Sequence, residues 1–145
     1  MRIGEDKAVA LILSLFILLF MSLLVVAFLD FITIEQQIIT NNLRSKQATF
    51  IAEAGVEAKI SQIRYNWNNQ DVWDDPIELD LGQTGSCSVS AEVSNPGGSN
   101  PIKTVTIDSI GRVMGFQRRI QTRVLVYPKV NTNKIIVDYW KDLGV

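Results

Sequence analysis

The chain has 145 residues, a net charge of −1, no histidine and a single cysteine, Cys87. This length fits one domain with an appendage, and the balanced charge gives no general attraction to nucleic acid. Without histidine the chain lacks the commonest general base and metal ligand, and one cysteine excludes an intrachain disulfide. We therefore expect no catalytic residue, no cofactor and no nucleic-acid partner.

The most distinctive feature is an apolar run near the N-terminus. Ala8–Leu29 contains no charge, proline or glycine, and its only polar residues are Ser14 and Ser22. As a helix this run is about 33 Å long, enough to cross the hydrocarbon core of a bilayer. It is longer than the core of a cleavable signal peptide, and a buried core helix would have a polar face. The run predicts a polar leader at 1–8 and a transmembrane span at 9–29.

The predicted helix continues beyond this span. No glycine occurs between Gly4 and Gly55, and no proline precedes Pro76. Apolar residues recur at steps of three and four, the spacing of one helical face, at Ala48, Ala52, Val56, Ile60 and Ile63. The pattern predicts one helix from about Ala8 to Tyr65, with 30–65 as its extramembrane part. The middle of that part is polar on every side, which favours a solvated bridge or packing among copies of itself.

The remaining residues, 66–145, predict a β-rich exported head. Alternating apolar and polar residues predict strands over 77–81, 87–93, 103–110 and 116–127, and an edge strand or short turn over 135–140. The cluster Asn95–Pro101 predicts a turn, and Gly111 and Gly115 bracket a predicted bend. The expected fold class is α+β, with the long N-terminal helix packed on a small antiparallel β-sheet.

An Asx-rich loop at 65–76 is a candidate for metal binding. Asp71, Asp74 and Asp75 offer oxygen ligands of the kind that calcium prefers. Their spacing does not match an EF-hand loop and no glutamate closes the site, so a solvated turn is the favoured interpretation. For Trp67 and Trp73 in the same loop, packing or interfacial anchoring is favoured over a ligand platform.

A more specific motif follows the predicted span. It combines Asn42 and Arg44 with small residues around one acid, at Ala48, Ala52, Glu53, Ala54 and Gly55. Together with the apolar run, this motif resembles the N-terminal region of PilX-type minor pilins of type IV pili, over about residues 7–65. The small residues at one helix face permit a close backbone approach. They suit either contact with a neighbouring subunit or packing on the sheet of their own head.

A looser similarity to the same family lies in the head. Ser109 and Gly111 resemble a Ser-x-Gly turn of these proteins, and Arg118 and Arg119 resemble the basic strand that follows it. Taken alone, the arginines on this strand, with Arg123, predict a solvated face. A contact with a negatively charged partner is the alternative.

The resemblance implies a minor pilin or pseudopilin, a structural subunit of a type IV pilus-like filament. It implies cleavage by a prepilin peptidase after Ala8, which leaves Val9 as the first mature residue. Leu13 then takes the fifth mature position, where pilins usually carry glutamate, and cutting after Gly4 would place Val9 there. The missing glutamate favours a minor, tip-proximal subunit, since in pilins that carboxylate pairs with a neighbour's terminal amine.

The implied partners are other pilins or pseudopilins, an inner-membrane assembly platform, the prepilin peptidase and the lipid bilayer. The implied location is a single pass through the inner (cytoplasmic) membrane with the N-terminus in the cytoplasm, and later the pilus or cell surface. Two alternatives stay open: a pseudopilin of a type II secretion machine, and a bitopic membrane-anchored binding module that never enters a filament.

Overall fold

A computed structural model describes residues 3–67, 69–94, 102–127 and 134–144, with only the backbone described at 3–8, 70 and 83. The chain divides into two compact units, residues 1–41 and 42–145. Helix α1 (Ile3–Tyr65) forms the first unit and begins the second. It starts at Ile3 instead of the predicted Ala8 and ends at Tyr65 as predicted. The predicted turn at 95–101 lies outside the described residues.

The first unit consists of α1 alone, and its apolar side chains are exposed from Val9 to Leu29. The hydroxyls of Ser14 and Ser22 donate to the carbonyls of Leu11 and Leu19, at 2.8 and 2.7 Å. The polar groups in the run are thereby satisfied within the helix, as lipid requires. By length and composition α1 is able to cross a membrane.

The second unit is a five-stranded sheet covered on one face by α1. Its strands are β1 (Ile77–Asp80), β2 (Ser86–Ser94), β3 (Lys103–Val113), β4 (Phe116–Tyr127) and β5 (Lys134–Gly144). They pair antiparallel in chain order, β1-β2-β3-β4-β5. Short 3₁₀ turns lie at Gln70–Val72 and Gly82–Thr84. The α+β class is confirmed, and the alternative at 135–140 is resolved as an edge strand.

The core lies between α1 and the inner face of the sheet. The predicted stripe of α1 is buried throughout, from Ala48, which is 0% exposed, to Ile63. It packs against apolar residues of the central strands and the Asx-rich loop, at Trp73, Cys87, Val89, Val105, Ile107, Ile120, Val124 and Val126. Buried apolar surface contributes about 25 cal/mol per Å² to the free energy of unfolding, so this interface is the main source of the head's stability.

One buried hydroxyl sits among these apolar side chains. Thr122 on β4 is 0% exposed, and its Oγ1 makes no hydrogen bond to any described residue. Strand alternation forces it inward, because Ile120 and Val124 on either side of it are both core residues. An unsatisfied buried hydroxyl costs about 1–3 kcal/mol, so the fold tolerates this loss.

The predicted turn at Ser109 and Gly111 is wrong, whereas the bend predicted between Gly111 and Gly115 is present. Gly111 and Ser109 both lie inside β3, where Gly111 pairs with Cys87 on β2 and Arg118 on β4. The reversal occurs later, at Met114 and Gly115, which have φ values of 43° and 84°. The strand continues through Gly111 because Val113 beyond it is a buried, inward-facing residue.

Candidate functional site

The small residues of α1 let the helix backbone pack directly on β3, and we call this helix–strand contact the seat. Ala48 and Ala52 are both 0% exposed. A Cβ built on Gly111 would lie 2.2 Å from the Ala48 carbonyl oxygen and 2.6 Å from the Ala52 nitrogen. Real Cβ atoms do not approach backbone atoms this closely. Gly111 therefore provides the space that the helix backbone occupies.

A second glycine completes this seat from the helix side. A Cβ on Gly55 would lie 2.3 Å from the Cys87 Sγ and 2.5 Å from the Ser109 Oγ. The Ser109 hydroxyl donates to the Ala52 carbonyl at 2.7 Å, and the Cys87 Sγ lies 3.3 Å from the same hydroxyl. A polar bond thus ties β3 to the helix inside an otherwise apolar contact, and Ser109 has a partner despite complete burial.

This geometry decides between the two uses of the small face. Ala48, Ala52 and Val56 have no exposed surface, and Gly55 is buried. They pack on the sheet of their own head, so they are not available to a neighbouring subunit. Of the other motif residues, Asn42 and Ala54 are exposed and Arg44 and Glu53 are half-buried.

The two consecutive arginines of β4 lie on opposite faces of the sheet, as strand geometry requires. Arg118 lies on the helix side, where its Nε and Nη2 donate to the Ser45 Oγ at 3.0 and 2.8 Å. Arg119 lies on the outer side and pairs with Asp108 at 2.9 Å. A solvated face was the right prediction for Arg119 and the wrong one for Arg118, which ties β4 to α1.

The Asx-rich loop is held by its two tryptophans. The rings of Trp67 and Trp73 are buried, with centroids 6.1 Å apart and planes tilted by 58°. The Trp73 Nε1 donates to the Asn66 carbonyl at 3.0 Å. The packing interpretation of both tryptophans is confirmed.

The three aspartates of this loop do not converge on one point. Asp71, Asp74 and Asp75 are exposed. Within the part of the chain that the structure describes, no three acidic, histidine or cysteine side chains come together in a way that holds an ion. The loop is a turn stabilised from inside by its indoles.

Lys59 is a buried polar residue that the sequence interpretation missed. It is 0% exposed, and its Nζ donates to the Gln62 Oε1 at 2.9 Å and to the Asp75 carbonyl. Burial lowers the pKa of Lys59 below 10.5, and the weaker attraction of the Asp75 and Asp74 carboxylates opposes this shift. Its place on the stripe, three residues after Val56 and four before Ile63, is the pattern that predicts its burial.

The lowered pKa of Lys59 predicts a pH dependence of stability. The folded state binds this proton less tightly than the unfolded state, whose lysine titrates near 10.5. The free energy of unfolding therefore rises with pH between the lowered folded pKa and 10.5, and the contribution is constant below that window. We expect the parent chain to gain stability relative to Lys59→Met as the pH rises from neutral toward 10.5. Denaturant titrations followed by tryptophan fluorescence measure this difference.

An exposed lysine on the same helix provides the control. Lys46→Met removes the same charge from a solvated position. The rise with pH for Lys59→Met should exceed any change seen for Lys46→Met over the same range. Equal pH profiles for the two variants would show that Lys59 is solvated in the folded chain.

No protein-family model, no curated protein and no solved structure matches the chain.

Proposed function

We propose that the chain is a minor pilin or pseudopilin, a structural subunit that assembles into a type IV pilus-like filament. The observation that carries the proposal is that α1 provides both an uncharged, exposed apolar run and the helix that the head packs upon. The helix resides in the cytoplasmic membrane before assembly and then enters the apolar core of a filament. The activity is assembly, with no chemical reaction.

The apolar run supports this because it needs an apolar environment in both places. The large apolar side chains from Val9 to Leu29 are more than half exposed, for example Phe16 at 70% and Leu18 at 70%. Lipid satisfies such a surface, and neighbouring apolar helices satisfy it equally well. Transfer from bilayer to filament core therefore exchanges one apolar contact for another at a small difference in free energy.

The residues just after the run also support lateral packing. Phe31, Ile34, Ile38 and Ile39 are 55–62% exposed on α1. An isolated helix in water gains little stability from propensity alone, and most helices depend on packing of an apolar face. Copies of the same helix, or helices of related subunits, are the partners that fit this stretch.

The head's own small-residue face does not supply these contacts. Ala48 and Ala52 are buried against β3, so subunit contacts must involve other surfaces. The absence of glutamate at the fifth mature position, where Leu13 stands after cleavage at Ala8, fits a subunit near the filament tip. A tip subunit has no neighbour above it whose amine would need that carboxylate.

Mass spectrometry of the N-terminus, on protein isolated from membranes and from sheared filaments, tests the proposal. We expect a chain beginning at Val9 with a methylated amine. Ala8→Leu should block the processing, because the resemblance to pilins implies a small residue before the cleavage site. Ala10→Leu should not block it. An intact Met1 on a protein that never sediments with filaments would overturn the proposal in favour of an anchored binding module. Loss of secreted enzymes without loss of pili in a deletion strain would assign the subunit to type II secretion.

A further inference from the structure

The two edges of the sheet differ in how well they are protected. The β1 edge has only four residues, follows Pro76, and exposes two acidic side chains, Glu78 and Asp80. The β5 edge has eleven residues, and in the described part of the chain β5 pairs with β4 alone. Short length, proline and charge are the usual devices that keep a sheet edge from pairing further. They shorten and charge the β1 edge. On β5 the corresponding devices are charged side chains and two pairing irregularities, which shorten the stretch open to another strand, and no described residue pairs with its far side.

Apolar side chains accompany this open edge on the helix side. Val137 and Trp140 are 46% and 41% exposed. Their cross-strand neighbours on β4, Val124 and Thr122, are completely buried. The inner face of the sheet is therefore covered as far as β4 and partly exposed at β5. A strip of apolar surface lies beside the unpaired backbone, where an added strand would cover it.

The outer side of β5 is already occupied by contacts within the head. The Tyr139 hydroxyl donates to the Gln121 Oε1 at 3.1 Å. Arg123 lies 4.7 Å from the centre of the Tyr139 ring and 3.7 Å from the Asp138 carboxylate. In the β4–β5 register, Lys141 lies opposite Gln121 on this side. Beyond these contacts, the outer side carries the basic Lys134 and Lys141, whereas the acidic Asp142 lies opposite Ile120 on the helix side.

We propose that the free edge of β5 is a strand-addition site for an extended segment of a partner protein. The segment pairs with β5 as a sixth strand, since only an extended backbone matches the alternating donors and acceptors of a strand edge. It places apolar side chains over Val137 and Trp140 and acidic side chains beside Lys134 and Lys141. This site does not depend on filament assembly, because it is built entirely from residues of the head.

A second copy of β5 does not fit this role. Antiparallel pairing of two β5 strands uses a two-fold axis perpendicular to the sheet, which keeps the Lys134 and Lys141 sides of both copies on one face. The lysines of the two copies then lie along one seam, where like charges repel. Parallel pairing turns one sheet over and sets the Lys134 and Lys141 side of one copy beside the Val137 and Trp140 side of the other.

The register of β5 sets the length of the partner segment. Irregularities in the β4–β5 pairing leave Asp138 and Leu143 without a partner on β4. Bulges bend a strand and limit continuous pairing. Two regular stretches remain, 134–137 and 139–142, so the partner strand should span at most these residues.

Photo-crosslinking in the native cell, with the full-length chain, tests the proposal. p-Benzoylphenylalanine is placed in turn at Val137, Trp140 and Lys141, with Met114 and Glu78 as exposed control positions. We expect adducts from the β5 positions alone, mapped by mass spectrometry to one short segment of one partner. Attachment points should shift along that segment, in a constant direction, as the probe moves along β5. Scattered attachment points, adducts to lipid or to a second copy, or no adducts would each overturn the proposal.

A charge placed on the strip provides an independent measurement. Trp140→Lys should reduce the adduct formed from position 137 at least tenfold, with an unchanged thermal unfolding midpoint. Met114→Lys, which changes a side chain 68% exposed on the β3–β4 turn, should leave the adduct unchanged. Equal adduct yields from both variants would overturn the strand-addition site. Neither result bears on N-terminal processing, so failure here and failure of the filament proposal are distinguishable.

Discussion

Gly111→Ala is expected to unfold the head or to destabilise it by about 3 kcal/mol or more, at the upper end of what overpacking costs. The added methyl would lie 2.2 Å from the carbonyl oxygen of Ala48 and 2.6 Å from the nitrogen of Ala52. Both atoms belong to the backbone of α1, so no side-chain rotation relieves the clash. The helix must lift from β3, which opens the core between them. Against a typical domain stability of about 5–15 kcal/mol, this loss is large.

Urea unfolding of the detergent-solubilised chain, followed by the fluorescence of the buried Trp67 and Trp73, measures the effect. Gly115→Ala is the matched control, because a Cβ there meets nothing within 4 Å. That change carries only the cost of a left-handed backbone at φ 84°, about 1–2 kcal/mol. Equal unfolding midpoints for the two variants would contradict the direct approach of helix and strand.

The helix and the strands were predictable because each is encoded by a local period. Steps of three and four between Ala48 and Ile63 identify the buried helical face, and the absence of proline before Pro76 identifies a continuous helix. Alternation of apolar and polar residues similarly identifies the strands. The edge strand β5 was less certain, since charged residues at Asp138 and Lys141 interrupt its alternation and two pairing irregularities shift its register.

The seat of the helix was not predictable, because its cause is not local. Glycine in a β-rich sequence indicates a bend on local grounds, whereas Gly111 is required by helix atoms of Ala48 and Ala52 far away in the chain. Ser109 was assigned to a turn for the same reason, although its hydroxyl bonds to the helix. Lys59 and Thr122 show the opposite case. The local period predicts that both are buried, whereas the polarity of their side chains predicts that both are exposed.

A helix face made of small residues does not by itself identify the backbone that packs against it. Alanine and glycine at steps of three and four permit close approach of any backbone, whether it belongs to another subunit or to the same head. Only the exposure of each residue separates the two. Ala52 has none, whereas Ala54, two residues on, is exposed. The two alanines therefore allow the same substitution to be made on the buried and on the exposed face of one helix.

Ala52→Leu is expected to destabilise the head by about 3 kcal/mol, because three extra carbons enter a fully packed contact. The residue is 0% exposed, its nitrogen lies against the space of Gly111, and its carbonyl accepts the Ser109 hydroxyl. A leucine side chain displaces β3 and breaks that bond. Urea unfolding should show an earlier midpoint, and the amount of protein in membranes should fall as the unfolded chain is degraded.

Ala54→Leu makes the same change on the solvent side of the same turn and should alter the unfolding free energy by less than about 0.5 kcal/mol, as for most surface substitutions. The pair also tests the subunit role of the small face. If Ala52→Leu kept the parent's stability but disappeared from sheared filaments, the seat on β3 would be wrong and the face would contact a neighbour. If Ala52→Leu loses stability while Ala54→Leu folds normally, the small face belongs to the head. Exclusion of the folded Ala54→Leu protein from filaments would then place the subunit contact on the exposed side of α1.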